Sequence, residues 1–399
     1  MTLYVGSREA AHRLGISRAT LYAYVSRGLL ERRTAVDGKT SMYSVDDLDR
    51  LHARSRRRAA QPRPSIDVQI STAVTRLDEH GLWYRGKDAV ELARTTGFEA
   101  VAELLWSGTL PPARPDWPSA GVGDRTAAAS AVDALGPSAT ALQEMTVTAV
   151  VLGARHAADD PPAAARRLLA VTAAPRGRSR RGPLAERLAR QWHRSPTPAL
   201  VAAIDRALVL LADHELSTST LAARVAISVR ADAYSAFTAG LATVTGQLHG
   251  SAAGGAYRLL REAAESGARD TVGRRLAQGE RIPGFGHTVY RDGDPRLEPL
   301  LEAAWELPGA AERRASVDEV LREAGLRLDH RPNVDFGLAV LAYLGGLDPD
   351  VPIFATARVA GWAAHCLEEL QERPVRFRGL ARYREEPYVT GRSARRAAR

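Results

Sequence analysis

The chain has 399 residues, 45% hydrophobic and 25% charged, with a formal net charge of +9 and a single cysteine. That length is more than one compact core fills, so two or more domains are expected. There is no run of eighteen apolar residues and no signal-like apolar segment at the start, so the sequence reads as soluble and cytoplasmic rather than membrane-bound or secreted. One thiol forms neither an internal disulfide nor a cysteine-based zinc site. Cys366 lies in the helical stretch "RVAGWAAHCLEEL" and is expected to be a small core residue. Residues 1–65 hold thirteen Lys/Arg and six Asp/Glu, a net of +7, which leaves +2 for the remainder. A basic module attached to a nearly neutral body is implied. The basic residues are almost all arginine, with lysine only at Lys39 and Lys87. Beside so much alanine, this reads as a compositional bias.

The N-terminal "SREAAHRLGISRATLYAYVSRGLL" reads as two short helices. Ala10, Ala11 and Leu14 give the first an apolar face, and Gly15 breaks it. Ser17 is a favourable N-cap for the second; Leu21 and Val25 form its i, i+4 stripe, and Gly28 ends it. In "ERRTAVDGKTSMYSVDDL", Asp37-Gly38 is a hairpin turn signal between strand-like runs, and Ser44 with Asp47 resembles a capping box opening a third helix. The segment resembles the winged helix-turn-helix of the MerR and excisionase-like families. That resemblance implies that Arg18, Thr20, Tyr22 and Arg27 face a DNA groove, with Arg32, Arg33 and Lys39 near phosphates. A docking module without DNA binding is the alternative. Residues 1–60 are assigned to this module and 61–65 to a linker, within the arginine-rich run "HARSRRRAAQPRP" at 52–64.

From residue 66 onward helical periodicity dominates and no series of alternating strands is evident. "GKDAVELARTTGFEAVAELLWSGTLP" places Val90, Leu92, Ala93, Val101, Leu104 and Leu105 at helical spacing, with Gly97 and Pro111 as breaks. "ALQEMTVTAVVLGARHAA" and "LAARVAISVRADAYSAFTAGLATV" follow the same pattern. "APRGRSRRGP" at 174–183 reads as a basic surface loop, and 386–399 as a basic tail.

Four stretches carry candidate chemistry: "ADHELSTST" around His214, "GQLHGSAAGGA" around His249, "PGFGHTVYRDGDPR" around His287, and "RPNVDFGLAVL" around Asp335. Together with "YRGKDAVELA", "FEAVAELLWSGTLP" and "ARVAGWAAHCLEEL", in this order over about residues 66–385, they resemble citrate synthase. The resemblance implies a mainly α citrate synthase fold. A large helical domain would span 66–248 and 347–385, and a small lid domain 249–346. It also implies a homodimer with acetyl-CoA and oxaloacetate as substrates, no cofactor and no metal.

Joining those substrates requires removing a weakly acidic thioester methyl proton, which a carboxylate manages only if the enol oxygen is stabilised. A dicarboxylate substrate needs fixed cations. By resemblance, Asp335 is the base. His249 bonds the thioester oxygen from a helix start that keeps it neutral, and His287 donates toward the ketone oxygen. His214, Arg296 and Arg358 hold oxaloacetate. Gly284, Phe285 and Gly286 lie along coenzyme A, the glycines allowing close approach and letting His287 move with domain closure. A further arginine would come from the second subunit. Here "QERPVRFRGLARY" departs from the family's "RPRxxY"-like motif; spacing favours Arg376, with Arg373 as the alternative. "LHGSA" replaces the commoner "LHGGA", and "VDFGLA" carries a glycine where a larger residue is frequent. The remaining histidines, His365 among them, read as structural. Two other functions are compatible with the sequence: a transcription regulator whose synthase fold senses a metabolite, and a 2-methylcitrate synthase using propionyl-CoA.

Overall fold

A computed structural model describes residues 4–14, 18–26, 30, 32–35, 40–45, 48, 68–78, 81–174, 181–246, 252–290 and 292–379. The chain divides into two units, Met1–Ser71 and Thr72–Arg399.

In the first unit, strand β1 (Tyr4–Gly6) leads into helices α1 (Ser7–Leu14) and α2 (Arg18–Ser26), followed by β2 (Arg32–Thr34) and β3 (Ser41–Ser44). The strands form an antiparallel sheet in the order β1-β3-β2, with Val5 opposite Tyr43 and Arg33 opposite Met42. Ala10, Ala11, Leu21, Leu30, Tyr43 and Leu48 make its small core. The apolar spacing predicted both helices, and the two runs flanking Asp37-Gly38 are paired strands. The turn itself lies outside the described residues, as do Arg27 and Lys39; of Arg18 only the backbone is described. Thr20 is half-buried and Tyr22 is exposed. Strand β1 was not expected, because three residues are too few to show an alternating pattern.

The second unit opens with a feature the periodicity did not suggest. Strands β4 (Thr75–Asp78), β5 (Gly81–Tyr84) and β6 (Lys87–Asp88) form an antiparallel meander. Arg85 and Gly86 turn between the last two, both with positive φ (49° and 80°), as a two-residue hairpin turn requires. The expectation of helix from residue 66 is corrected here.

Fifteen helices follow among the described residues: α3 (Ala89–Thr95), α4 (Phe98–Ser107), α5 (Val122–Asp133), α6 (Ala141–His156), α7 (Pro161–Thr172), α8 (Leu184–Trp192), α9 (Pro198–Leu211), α10 (Thr218–Ser228), α11 (Ala233–Val244), α12 (Ala252–Ser266), α13 (Ala268–Ala277), α14 (Leu297–Trp305), α15 (Ala310–Arg327), α16 (Val334–Leu344) and α17 (Ile353–Gln371). Their starts follow local chemistry. Asp88, Asp160 and Asp232 accept backbone N–H groups at the starts of α3, α7 and α11, and Thr140 with Gln143 forms a capping box on α6, each satisfying donors that a helix leaves open.

Helix α17 runs through the core, with both large and small residues buried along most of its length. Gly361 donates to the Ala212 carbonyl at 2.9 Å, and a Cβ there would meet that oxygen at 2.6 Å. The α17 backbone can therefore lie directly against the end of α9. Cys366 is fully buried on this helix, and burial pushes its thiol up to about 12. No helix among the described residues is long and apolar enough to cross a membrane.

Candidate active site

The N-terminus of α16 is the starting point. Asn333 is its N-cap: Oδ1 accepts from the N–H groups of Asp335 (3.0 Å) and Phe336 (3.4 Å). The same side chain donates from Nδ2 to the Gly286 carbonyl at 2.7 Å, and the Asn333 N–H donates to the Gly284 carbonyl at 2.9 Å. The Gly286 N–H donates to Arg331 at 2.8 Å, and Phe285 bridges Pro332.

The loop bearing His287 is thus stitched to the segment that leads into Asp335. Its glycines have a local reason. Gly284 and Gly286 have φ of +81° and +89°, and a Cβ on Gly284 would meet Phe336 Cβ at 2.9 Å. The loop is tethered by backbone and side-chain hydrogen bonds, and Gly284 lets it press onto α16.

His287 Nδ1 accepts from the N–H groups of Val289 and Tyr290, both at 3.1 Å. A nitrogen that accepts carries no proton, so the neutral ring bears its hydrogen on Nε2. Arg296 Nη2 lies 3.4 Å from that Nε2. Because an arginine only donates, this approach is a cationic contact rather than a hydrogen bond to the protonated nitrogen. Burial, reinforced by the Arg296 charge, lowers the His287 pKa. The result is a neutral ring whose Nε2–H is a donor.

Arg296 is itself buried and held by Asp294 through two bonds of 2.9 Å. Burial alone would raise the Asp294 carboxyl; Arg296 and the N–H groups it accepts outweigh this and hold it below the usual range. One of those N–H groups is that of Val334, at 2.9 Å. Asp294 therefore joins the cation to the start of α16, as Asn333 joins the histidine loop to it. Asp335 is half-buried. Burial pushes its carboxyl up to about 6, against the opposing pull of Arg296.

His214 faces this group from the end of α9. Its ring lies 5.5 Å from that of His287 and 5.7 Å from that of Tyr290, and Tyr290 stacks on His287 at 4.6 Å. Burial first, then the charges of Arg296 and Arg358, hold the His214 pKa well below the ordinary histidine value. Its buried Nε2 and the Tyr290 hydroxyl have no hydrogen-bond partner among the described residues.

Arg358, on α17, is buried; it donates to the Leu211 carbonyl and to Ser217 Oγ, both at 3.1 Å, and its guanidinium lies 4.6 Å from the centre of the Phe354 ring. The turn carrying His214 is fixed from beneath. Tyr84, on the unexpected strand β5, places its hydroxyl 3.1 Å from the carbonyl oxygens of Val209 and Asp213. Asp213 accepts from His365 Nε2 at 3.2 Å. His365 Nδ1 faces Arg224 at 2.8 Å, and Arg224 donates to Glu369 at 3.0 Å.

The structure thus brings together His214, His287, Arg296, Arg358 and Asp335, with Gly284, Phe285 and Gly286 alongside. His249 lies outside the described residues; α12, expected to begin near it, starts at Ala252. Arg376 stands apart. Glu369 binds it in bidentate fashion at 2.6 and 2.7 Å, so within its own chain it is an ion-pair partner of a buried carboxylate; Arg373, the alternative, is exposed. Sequence reading missed Asp294, Asn333, Tyr290 and Ser217. Only Asn333, an N-cap type directly before an apolar run, carried a readable signal. No group of His, Cys, Asp and Glu able to hold a metal ion occurs among the described residues.

Residues 66–384 match the family model for the citrate synthase C-terminal domain. The chain is 33% identical over 337 residues to a 2-methylcitrate synthase of Mycobacterium tuberculosis (strain H37Rv), covering 76% of this chain and 85% of that protein. It is 38% identical over 180 residues to Citrate synthase 2 of Bacillus subtilis (strain 168), covering 44% of this chain and spanning about half (48%) of that relative's length. The solved structure of citrate synthase from Pyrobaculum aerophilum superposes with a TM-score of 0.67 at 25% identity, over 81% of this chain and 91% of that one. A Thermoplasma acidophilum citrate synthase, solved as a ternary complex with carboxymethyl coenzyme A and oxaloacetate, shares the fold, with a TM-score of 0.67 at 23% identity over 82% of this chain and 97% of that one. The chain belongs to the citrate synthase family, enzymes of acyltransferase-type condensation that require no cofactor.

Proposed function

We propose that the chain condenses acetyl-CoA with oxaloacetate and hydrolyses the resulting thioester. The observation that carries this reading is the linkage of a half-buried carboxylate, Asp335, to a neutral histidine donor, His287, and a buried cation, Arg296, through Asn333 and Asp294.

Asp335 takes a proton from the α-carbon of the thioester. A carboxyl raised to about 6 is a stronger base than an ordinary one and is still ionised near neutrality. His249 bonds the thioester oxygen as the enol forms. The enol carbon attacks the ketone carbon of oxaloacetate, and His287 Nε2–H supplies a hydrogen bond and then a proton to the ketone oxygen. Water then adds to the thioester and coenzyme A leaves as the thiol. Arg296 and Arg358 hold the two carboxylates, and His214 contributes its Nε2, which has no partner among the described residues. Coenzyme A lies along Gly284–Gly286, beside a cavity of 460 Å³ lined by Phe285, Leu321, Leu328 and His330. Residues 249–346 are read as the lid, carrying Asp335, His287 and Arg296, and 66–248 with 347–385 as the larger domain, carrying His214 and Arg358.

The first unit is read as a winged helix-turn-helix that binds DNA through Arg18, Thr20, Tyr22, Arg27 and Lys39. The order of its helices, its three-stranded sheet and the exposed Arg32 and Arg33 on β2 support this. Val225 and Val229 are exposed at the end of α10, where the N–H of exposed Val375 bonds Ser228. This apolar patch supports a homodimer. The test of the enzyme reading is release of free thiol from acetyl-CoA that depends on oxaloacetate; purified protein that releases none in its presence refutes it.

A further inference from the structure

We propose that His365 is a positioning residue for the condensation: through Asp213 it fixes the turn that aims His214 at oxaloacetate. This rests on the condensation reading above and adds to it a residue that touches neither substrate.

One face of α17 supports that turn. Arg358, Gly361 and His365 stand at i, i+3 and i+7 and so share a face of the helix. Arg358 donates to the Leu211 carbonyl and to Ser217 Oγ, both at 3.1 Å. Gly361 donates to the Ala212 carbonyl at 2.9 Å. His365 Nε2 lies 3.2 Å from Asp213 Oδ2. His214 is the next residue, and its own Nε2 has no hydrogen-bond partner among the described residues. The direction of its ring therefore depends on how the segment around it is held.

The donors and acceptors fix the sense of this chain. Arg224 Nη1 lies 2.8 Å from His365 Nδ1. Arginine only donates, so Nδ1 accepts and the ring carries its hydrogen on Nε2, facing Asp213. Asp213 Oδ2 also accepts the Glu215 N–H at 3.0 Å. One carboxylate oxygen thus receives a bond from α17 and a bond from the residue that follows His214. Glu215 has a φ of +53°, a region that residues other than glycine seldom occupy and that persists only where the surroundings impose it. The bond to Asp213 imposes it, and the chain reverses immediately after His214.

Burial shows that more than packing is served. Asp213, Arg224, His365 and Glu369 are all fully buried. Arg224 is held in turn by Glu368 and Glu369, each at 3.0 Å. A buried ionic chain is costly to desolvate, and apolar side chains of similar volume often stabilise a core as well or better. What they lack is the histidine's span, an acceptor toward Arg224 and a donor toward the residue beside His214.

The test is a double-mutant cycle on oxaloacetate binding, measured by calorimetry on the full-length protein, beside steady-state thiol release from acetyl-CoA. His365→Gln keeps a donor for Asp213 and an acceptor for Arg224; His365→Asn, one carbon shorter, does not span the two. The Asn variant is expected to weaken oxaloacetate binding about tenfold, the scale of one hydrogen bond to a charged group, and to raise the KM for oxaloacetate while the KM for acetyl-CoA stays within about twofold. The Gln variant should restore binding to near the wild-type level. In a His214→Ala background, His365→Asn should cause no further loss, because the residue it acts through is gone. The same loss in that background overturns the proposal, as does an equal loss for Asn and Gln or an equal rise in both KM values. If the Asn protein does not fold, Asp213→Ser, which breaks the same bond from its other end, goes through the same cycle with the same criteria. A wild type that releases no thiol in the presence of oxaloacetate overturns the condensation reading, and this role with it.

Discussion

Replacing Asp335 by asparagine is expected to abolish turnover and to make the protein more stable. The carboxyl is held at about 6 instead of the ordinary 3.8 because burial disfavours its charge. A rise of that size, at about 1.4 kcal/mol per tenfold in proton affinity, sets a ceiling of about 3 kcal/mol. Solvent contact at the half-buried side chain reduces this to about 1–2 kcal/mol. The sign follows from the direction of the shift. Between pH 4 and 6 the folded state keeps the proton that the unfolded state has lost, so the wild type loses stability as pH rises through that window. Above pH 6 the penalty is fully present. The neutral amide carries no such penalty. The melting temperature of Asp335→Asn should match that of the wild type near pH 4 and exceed it by about 2–5 °C at pH 8. In parallel, exchange of the acetyl-CoA methyl protons with deuterated solvent, measured with an unreactive oxaloacetate analogue, should occur in the wild type and cease in the variant. A gap that is largest at pH 4, or absent at pH 8, would refute the electrostatic reasoning. Exchange at the wild-type rate would remove Asp335 from the role of base.

Other outcomes follow from the same contacts. Asn333→Ala removes both the α16 cap and the tether to Gly286, so it should cost about 1 kcal/mol of stability and at least tenfold in kcat. Asn333→Asp keeps the cap acceptor but not the donor to Gly286, and should lower kcat while leaving the thermal midpoint nearly unchanged. Arg376→Gln leaves buried Glu369 with one cation fewer and should destabilise by about 1–3 kcal/mol. An unchanged melting curve with a raised KM for oxaloacetate would instead indicate that Arg376 serves the site of a second subunit. Deleting residues 1–71 should abolish DNA binding, measured as a steep loss of affinity with rising salt, and leave condensation within about twofold. Retained DNA affinity would show that the basic unit was misread.

The helices were legible because their apolar spacing and their caps are local properties. Asp88, Thr140 and Asp232 sit next to the turns they cap, so a short window of sequence holds the whole signal. The meander at 75–88 was not legible. Its strands are four, four and two residues long, too short for alternation to stand out from the helical pattern around them. At the site, His287, Asp335, Arg296, Arg358 and His214 came from motifs whose residues are contiguous. Asp294 was passed over although it stands in the same "DPR" as Arg296, because its second role, accepting from Val334 forty residues away, exists only in three dimensions. The glycines at 284 and 286 were recognised as necessary, but they were assigned to a ligand and to motion. Gly284 also answers a demand that exists only in the fold, its close approach to Phe336 on α16.

Cys366 supplies a convenience of measurement. The thiol is fully enclosed, and burial raises it to about 12, so at neutral pH almost none of it is the reactive thiolate. With no second cysteine in the chain, a colorimetric reagent for released coenzyme A has almost no background from the native protein. Slow labelling of that one sulfur then becomes a clock for opening of the core around α17. Its rate in Asp335→Asn relative to the wild type, followed across pH, gives the predicted stability difference without heat or denaturant.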